Sequence, residues 1–147
     1  MKLQVINNSG VPLRYATDGS AGIDLAAHTL IGSISTGYHH HIHRVGTGVQ
    51  VEIPSGYVGL LIARSSLHTK GWKLANAVGV VDADYRGEIM VDLQAAAEPY
   101  DQYIPFGQRI AQLVIVPCPR LEIEEVTELP ETSRGSGGFG STDIHKK

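Results

Sequence analysis

An all-β domain, a barrel or sandwich of short strands, is what this sequence predicts, and three observations carry the expectation. The 147 residues hold 17 glycines and 7 prolines with only 18% charged residues, a composition suited to tight turns rather than long solvated helices. Apolar residues recur with a period of two in several short runs, the mark of half-buried strands. Helix signals are few and short.

The elements follow in order. From Val45 to Ile53 the residues Val45, Thr47, Val49, Val51 and Ile53 alternate with Gly46, Gly48, Gln50 and Glu52, which predicts one half-buried strand. Pro54, Ser55 and Gly56 supply a turn, and Tyr57–Ala63 resumes as an apolar strand, so the pair reads as a hairpin. Ser65–Gly71 has the start of a short helix that Gly71 stops. Gly79–Glu88 lies between two apolar segments and reads as a hairpin tip. Ile89, Val91 and Leu93 share one face of the next strand. Ala95–Glu98 favours helix but is cut by Pro99. Arg109–Val116 is apolar at nearly every position except Gln112, as in a strand buried on both faces, where a lone amide needs a partner. Leu121 and Ile123 suggest a last strand. After Leu129 the composition shifts to Gly, Ser, Thr and charge, so the division expected is a core domain at 1–129 and a mobile tail at 130–147.

Charge and cysteine usage exclude several classes. Twelve basic against 15 acidic residues, a net charge of -3, provide no broad basic field for a nucleic-acid polymer. The lone Cys118 forms no internal disulfide, and no secretory leader or long uncharged apolar run is seen. A soluble cytoplasmic protein without nucleic-acid or membrane partners is expected.

Chemistry gathers in a few stretches. The tail Arg134-Gly-Ser-Gly-Gly-Phe139-Gly-Ser141-Thr142 satisfies G-x-G-x-x-G, yet no strand-then-helix frame surrounds it and no Lys-Ser/Thr follows, so neither a dinucleotide fold nor a Walker loop fits. Its physics remains: backbone N–H groups that converge on an anion, a fixed cation at Arg134, two hydroxyls and a ring at Phe139 that can stack on a base. A task-free flexible tail is the alternative. Asp82 and Asp84 on a turn can bind a metal, activate a water or cap the turn. Arg64, Ser65 and Ser66 place a cation and two hydroxyls where phosphates bind. Gln112 needs a partner, either neighbouring backbone or a substrate oxygen.

Taken with Ala21-Gly22-Ile23-Asp24-Leu25, these stretches resemble, in order and character, the five motifs of trimeric dUTP pyrophosphatases across nearly the whole chain. The resemblance implies a jelly-roll-like β-barrel with one short helix and a mobile Gly-rich tail, a homotrimer with shared active sites, and Mg2+-assisted hydrolysis of dUTP to dUMP and pyrophosphate. Asp82 matches the base that orients and deprotonates the water attacking the α-phosphate. Arg64, Ser65, Ser66 and Gln112 match phosphate contacts. Arg134 and the Gly-rich backbone, with Ser141 and Thr142, match a lid that neutralises the leaving pyrophosphate, and Phe139 matches a ring over the uracil. Asn76 and the backbone around Gly79 match the uracil slot, too tight for a 5-methyl group, and Tyr85 matches the ring under deoxyribose. Mg2+ in the family is held mostly by triphosphate oxygens and waters, and Asp24 is expected to touch those waters.

Some residues depart from the pattern. Asp143 stands where Gly is common, Ala95–Tyr100 lacks the usual polar turn, and His39, His40, His41 and His43 are unusual; exposed strand histidines are expected there, with a metal site on the shared face of His39, His41 and His43 as the alternative. The related dCTP deaminases use a Glu on the strand after the hairpin, where the shorter Asp92 lies. A nucleotide-gated binding protein is the non-enzymatic alternative.

Overall fold

The computed structural model describes residues 1–35, 41–96 and 103–138. Ten strands form it: β1 (Gln4–Asn7), β2 (Ile23–Ala26), β3 (Thr29–Ser35), β4 (His41–Gly46), β5 (Val49–Glu52), β6 (Tyr57–Ala63), β7 (Trp72–Leu74), β8 (Gly79–Val81), β9 (Met90–Ala95) and β10 (Arg109–Pro117). A single 3-10 turn, His68–Lys70, is the one helix among the described residues. Two four-stranded sheets, ordered β2-β10-β6-β8 and β3-β4-β9-β7, and a small β1-β5 pair make up the jelly-roll-like architecture. Every pairing among the described residues is antiparallel.

Leu25, Leu61, Ala111 and Leu113 of the first sheet share one core with Val45, Val91, Leu93, Leu74 and Trp72 of the second. Alternation therefore identified the buried faces correctly. Val45, Thr47, Val49, Val51 and Ile53 are all buried, and so are Ile89, Val91 and Leu93. No described helix is long and apolar enough to cross a membrane.

Several expectations are corrected. The run Val45–Ile53 is two strands, because the chain breaks at Gly48 (φ +69°), whose added Cβ would lie 2.8 Å from the Ser9 amide nitrogen. Only glycine permits both that conformation and that approach. Thr47 hides its hydroxyl at the break by donating to the Ile89 carbonyl at 2.7 Å.

The turn at Pro54–Gly56 forms, with the Tyr57 N–H on the Pro54 carbonyl at 3.1 Å, yet no hairpin does: β5 pairs with β1 and β6 with β10 and β8. Likewise Asp82–Ile89 is no hairpin tip, since β8 and β9 belong to different sheets and the segment bridges them. A turn sets local direction, and strand partners are chosen by long-range packing. Leu121 and Ile123 form no strand and are 83% and 89% exposed.

The expected helix shrinks to the 3-10 turn, stopped as expected by Gly71 in left-handed conformation (φ +77°). The run Arg109–Val116 is a central strand, but only Ile110, Ala111 and Leu113 are fully buried; the outward side chains Val114 and Val116 are half-buried beside Leu60 and Val58. His43 is not exposed: at 8% exposure it packs edge-on against Trp72 and shares a hydrogen bond of 2.9 Å with Ser33. Among the described residues no three His, Cys, Asp or Glu side chains group as a metal cluster. His39 and His40, the segment 97–100, and Phe139, Ser141, Thr142 and Asp143 lie outside the described residues.

Candidate active site

Antiparallel register brings Asp24 of β2 opposite Gln112 of β10, and Gln112 opposite Ile62 of β6. Arg64, one residue past β6, turns back onto this row. Its Nε donates to Asp24 Oδ1 at 2.7 Å while Arg109 Nη1 approaches Asp24 Oδ2 at 3.2 Å. One carboxylate, 14% exposed, thus orients two guanidiniums. Arg64 Nη1 and Nη2 have no protein partner among the described residues, which leaves both ends of its fork for an anion.

Gln112 rests against the sheet edge, its Nε2 donating to the Ala63 carbonyl at 3.2 Å. The side chain lies directly on Gly22: a Cβ there would come within 2.7 Å of Gln112 Oε1 and 3.1 Å of its Cβ. Both partners weighed for the amide remain compatible, because a backbone contact through Nε2 leaves Oε1 and a second N–H available. Ser65 is exposed and Ser66 half-buried at the turn that follows. Arg64 and Ser65 open on a concavity of about 410 Å³ shared with Trp72, Lys73 and Ala77.

The second group lies elsewhere on the chain. Asn76, Gly79, Asp82 and Tyr85 line one cavity of about 270 Å³, which Glu88, Met90, Arg44 and Asp92 line as well. Gly79 keeps it open, for a Cβ would stand 3.1 Å from Leu61 Cβ and 3.4 Å from Asn76 Nδ2. Ala77 takes a positive φ of +59°, and the Val78 N–H closes a tight turn on the Asn76 carbonyl at 2.6 Å. Such strain in a non-glycine residue costs on the order of 1–2 kcal/mol and is found where a loop must hold a shape.

Asp82 is exposed at the end of β8. Tyr85 donates its hydroxyl to the Glu88 carbonyl at 2.9 Å, and its ring spans the backbone of Gly87, where any Cβ would strike it. Glu88 in turn accepts the Gly48 N–H at 2.7 Å, so the loop is fastened to the break between β4 and β5.

Sequence reasoning named Asp92 but missed its partner Arg44. Arg44 Nε and Nη2 donate to Asp92 Oδ1 and Oδ2 at 2.9 and 2.8 Å. Hydrogen bonding from Arg44, with its charge assisting and partial burial opposing, holds the Asp92 carboxyl below the ordinary carboxylate range. The stability this pair contributes is full above that ordinary range and is lost as pH falls through the lowered value. Arg44 and Asp92 are opposite each other in the β4–β9 register, a partnership 48 residues apart that no local pattern announces.

The structure therefore brings Asn76, Gly79, Asp82 and Tyr85 together, and separately Asp24, Arg64 and Gln112. Asn76, Gly79, Asp82 and Tyr85 line one concavity, and Arg64 with Ser65 and Ala77 lines another. Arg134 is in neither; it is exposed, and its Nε donates to the Gly137 carbonyl at 2.9 Å.

Known proteins resemble this arrangement. The dUTPase family model matches residues 9–143. The chain is 44% identical over 142 residues to a deoxyuridine 5'-triphosphate nucleotidohydrolase of Anaplasma marginale, covering 95% of each, and 45% identical over 128 residues to one of Psychrobacter cryohalolentis, covering 85% of this chain and 81% of the relative. Among solved structures, a mutant dUTPase of Staphylococcus bacteriophage 80alpha with dUpNHpp superposes with a TM-score of 0.79 at 26% identity, covering 96% of this chain and 98% of that one. A mutant dUTPase of phage phi11, described with a structural Mg(II) ion, gives 0.71 at 25% identity over 87% of this chain and 98% of that one.

Proposed function

The chain belongs to the dUTPase family and hydrolyses dUTP to dUMP and pyrophosphate, and from that premise we propose that Asp82 is the general base and that each site is shared between subunits of a homotrimer. One observation carries the assignment: Asn76, Gly79, Asp82 and Tyr85 open on a single cavity able to take a nucleoside. Asp82 orients a water and accepts its proton as the water oxygen attacks the α-phosphorus. The bond from that phosphorus to the α,β-bridging oxygen breaks, and pyrophosphate leaves. An ordinary carboxylate is a weak base, so its placement supplies much of the effect.

Asn76 and the backbone around Gly79 read uracil, and a cytosine would cover their polar groups without pairing them. Tyr85, pinned over Gly87, packs under deoxyribose where a 2'-hydroxyl would clash. The free ends of Arg64, with Ser65, Ser66 and Gln112, hold the phosphate chain. Arg134, Ser141 and Thr142 close on it from the 130–147 tail as negative charge grows on the leaving group, and Phe139 covers the base.

We infer that Mg2+ arrives with its substrate. Bound through triphosphate oxygens and waters, Mg2+ supplies charge neutralisation of the phosphates. Asp24, with each oxygen already on a guanidinium, serves first as counter-ion to Arg64 and second as acceptor for a metal-bound water. The family's deaminase chemistry has no support here: Asp92 is bound in both oxygens by Arg44 and held ionised, which unsuits it to shuttle protons at neutral pH.

A trimer is supported by the separation of the two residue groups on one chain, because a second subunit can bring an Asp82 cavity to another's Arg64 row. The outward faces of Val58, Leu60, Val114 and Val116 and the exposed Leu121, Ile123 and Leu129 are apolar surface of the kind that subunit contacts cover. A cytoplasmic place of work agrees with a free, exposed Cys118.

The test is turnover of dUTP, dTTP, dCTP and UTP with and without Mg2+, on protein whose mass is measured by light scattering. Mg2+-stimulated hydrolysis of dUTP alone by a trimer is expected. Ammonia release from dCTP, or full activity in a monomer, would overturn the reading.

Gly22→Ala probes the phosphate side. The new methyl forces Gln112 off its position, and misplacement of such a group is expected to lower kcat/KM for dUTP roughly 10–100-fold. The melting temperature should drop only modestly, since overpacking typically costs about 1–3 kcal/mol. Steady-state kinetics beside a thermal melt separate the two effects.

A further inference from the structure

The segment from Asp82 to Ile89 crosses from one sheet to the other without strand pairing, so its shape must be held by other bonds. At its start the Tyr85 N–H closes a turn on the Asp82 carbonyl at 3.2 Å. The next side chain completes the fastening. Arg86 Nη1 donates to the Ala83 carbonyl at 2.7 Å and to the Tyr85 carbonyl at 3.0 Å, while Nη2 reaches Glu52 Oε1 on β5 at 3.4 Å. One planar guanidinium thus ties both carbonyls flanking Asp84 and tethers the turn to the β1-β5 sheet.

We propose that Arg86 is a positioning residue: its fork fixes the Asp82–Tyr85 turn so that the carboxylate and the phenol ring keep their mutual spacing in the nucleoside cavity. This rests on the roles proposed above for Asp82 and Tyr85. The geometry requires the fork rather than the charge. A lysine ammonium keeps the charge, but its point-like head lacks the rigid two-armed spacing that lets Nη1 serve two carbonyls while Nη2 faces Glu52. Arg86 and Glu52 are 53% and 52% exposed at their side chains, so removing Arg86 empties no core and leaves no buried group unpaired. Tyr85 and Glu88 stay anchored by their own bonds, through Glu88 to Gly48. What is lost is definition of the turn, and a shift of about 1 Å at a reacting group can cost on the order of 100-fold.

The experiment compares the parent with Arg86→Ala, Arg86→Lys and Glu52→Gln, reading kcat and KM for dUTP, the dUTP over UTP preference in kcat/KM, and the melting temperature. Arg86→Ala is expected to lower kcat roughly 10–100-fold, to narrow the preference for dUTP over UTP, and to leave the melting temperature within a few degrees. Arg86→Lys should recover little of either. Glu52→Gln should lose less than Arg86→Ala, because both carbonyl contacts remain. The change in sugar preference is the decisive reading, since plain loss of folded protein lowers turnover on both nucleotides alike.

Full recovery by lysine, or a fall in kcat with an unchanged sugar preference, would overturn the fork. Asp82→Asn and Tyr85→Ala run beside it as controls. If Asp82→Asn is inactive, Tyr85→Ala accepts UTP and Arg86→Ala behaves as the parent, the clamp alone is refuted. If Asp82→Asn keeps parental turnover, the underlying assignment fails and the clamp with it.

Discussion

Asp82→Asn is expected to cut dUTP turnover by about 10²–10⁴-fold, the range that a positioned general base supplies, while binding of a non-hydrolysable dUTP analogue stays within a few-fold of the parent. The amide keeps the size of the carboxylate and most of its hydrogen bonding but cannot take the proton of the attacking water. Stability will not confuse the result, because Asp82 is exposed at the end of β8 and surface changes away from special contacts stay within about 0.5 kcal/mol. Calorimetric titration beside a pyrophosphate-release assay measures both halves. A variant turning over dUTP within a few-fold of the parent would remove Asp82 from the role.

Deleting residues 134–147 is expected to leave the barrel folded and its assembly unchanged while turnover drops by about 10³-fold or more, the scale of an arginine delivered to a phosphoryl-transfer site. The described bonds of that region explain why the barrel does not need it. The Gly135 and Gly137 N–H groups and Arg134 Nε all bond within Thr132–Gly137. Arg134→Ala alone should reproduce most of the loss, because the charge stabilising the departing pyrophosphate goes with it. Comparing the kcat of the parent, the truncated and the Arg134→Ala proteins, with light scattering on each, checks the claim. Unchanged kcat in the truncated protein would make the segment a linker.

How far the site could be read from residues alone differs between its two halves. The buried faces of Val45, Val49, Val51 and of Ile89, Val91 and Leu93 were legible because burial on one side of a strand imprints a period of two on neighbouring residues. The motif order carried Asp82, Tyr85, Asn76 and Arg64 as candidates. It did not carry the Arg44–Asp92 pair, the ion pair from Arg109 to Asp24, or the dependence of Gln112 on Gly22, since each joins residues that meet only across paired strands. The strained Ala77 was equally invisible, for nothing in an alanine advertises a positive φ.

Alone, the sequence showed the alternating faces that turn inward, the turns at Pro54–Gly56 and Gly71 and the side chains that bear chemistry, because these depend on near neighbours. Pairing was decided by the tertiary structure. The segment after Pro54–Gly56 looks like a hairpin locally, but backbone hydrogen bonds are alike for any partner, and closing the two sheets over one core gave β6 to β10 and β8. The same antiparallel pairing of β6 with β8 set Arg64 beyond one end of the pair and Asp82 at the other, so that one sheet holds the residues proposed for a site in two places. Which surfaces face each other is a property of the packed whole, and no window along the chain contains it.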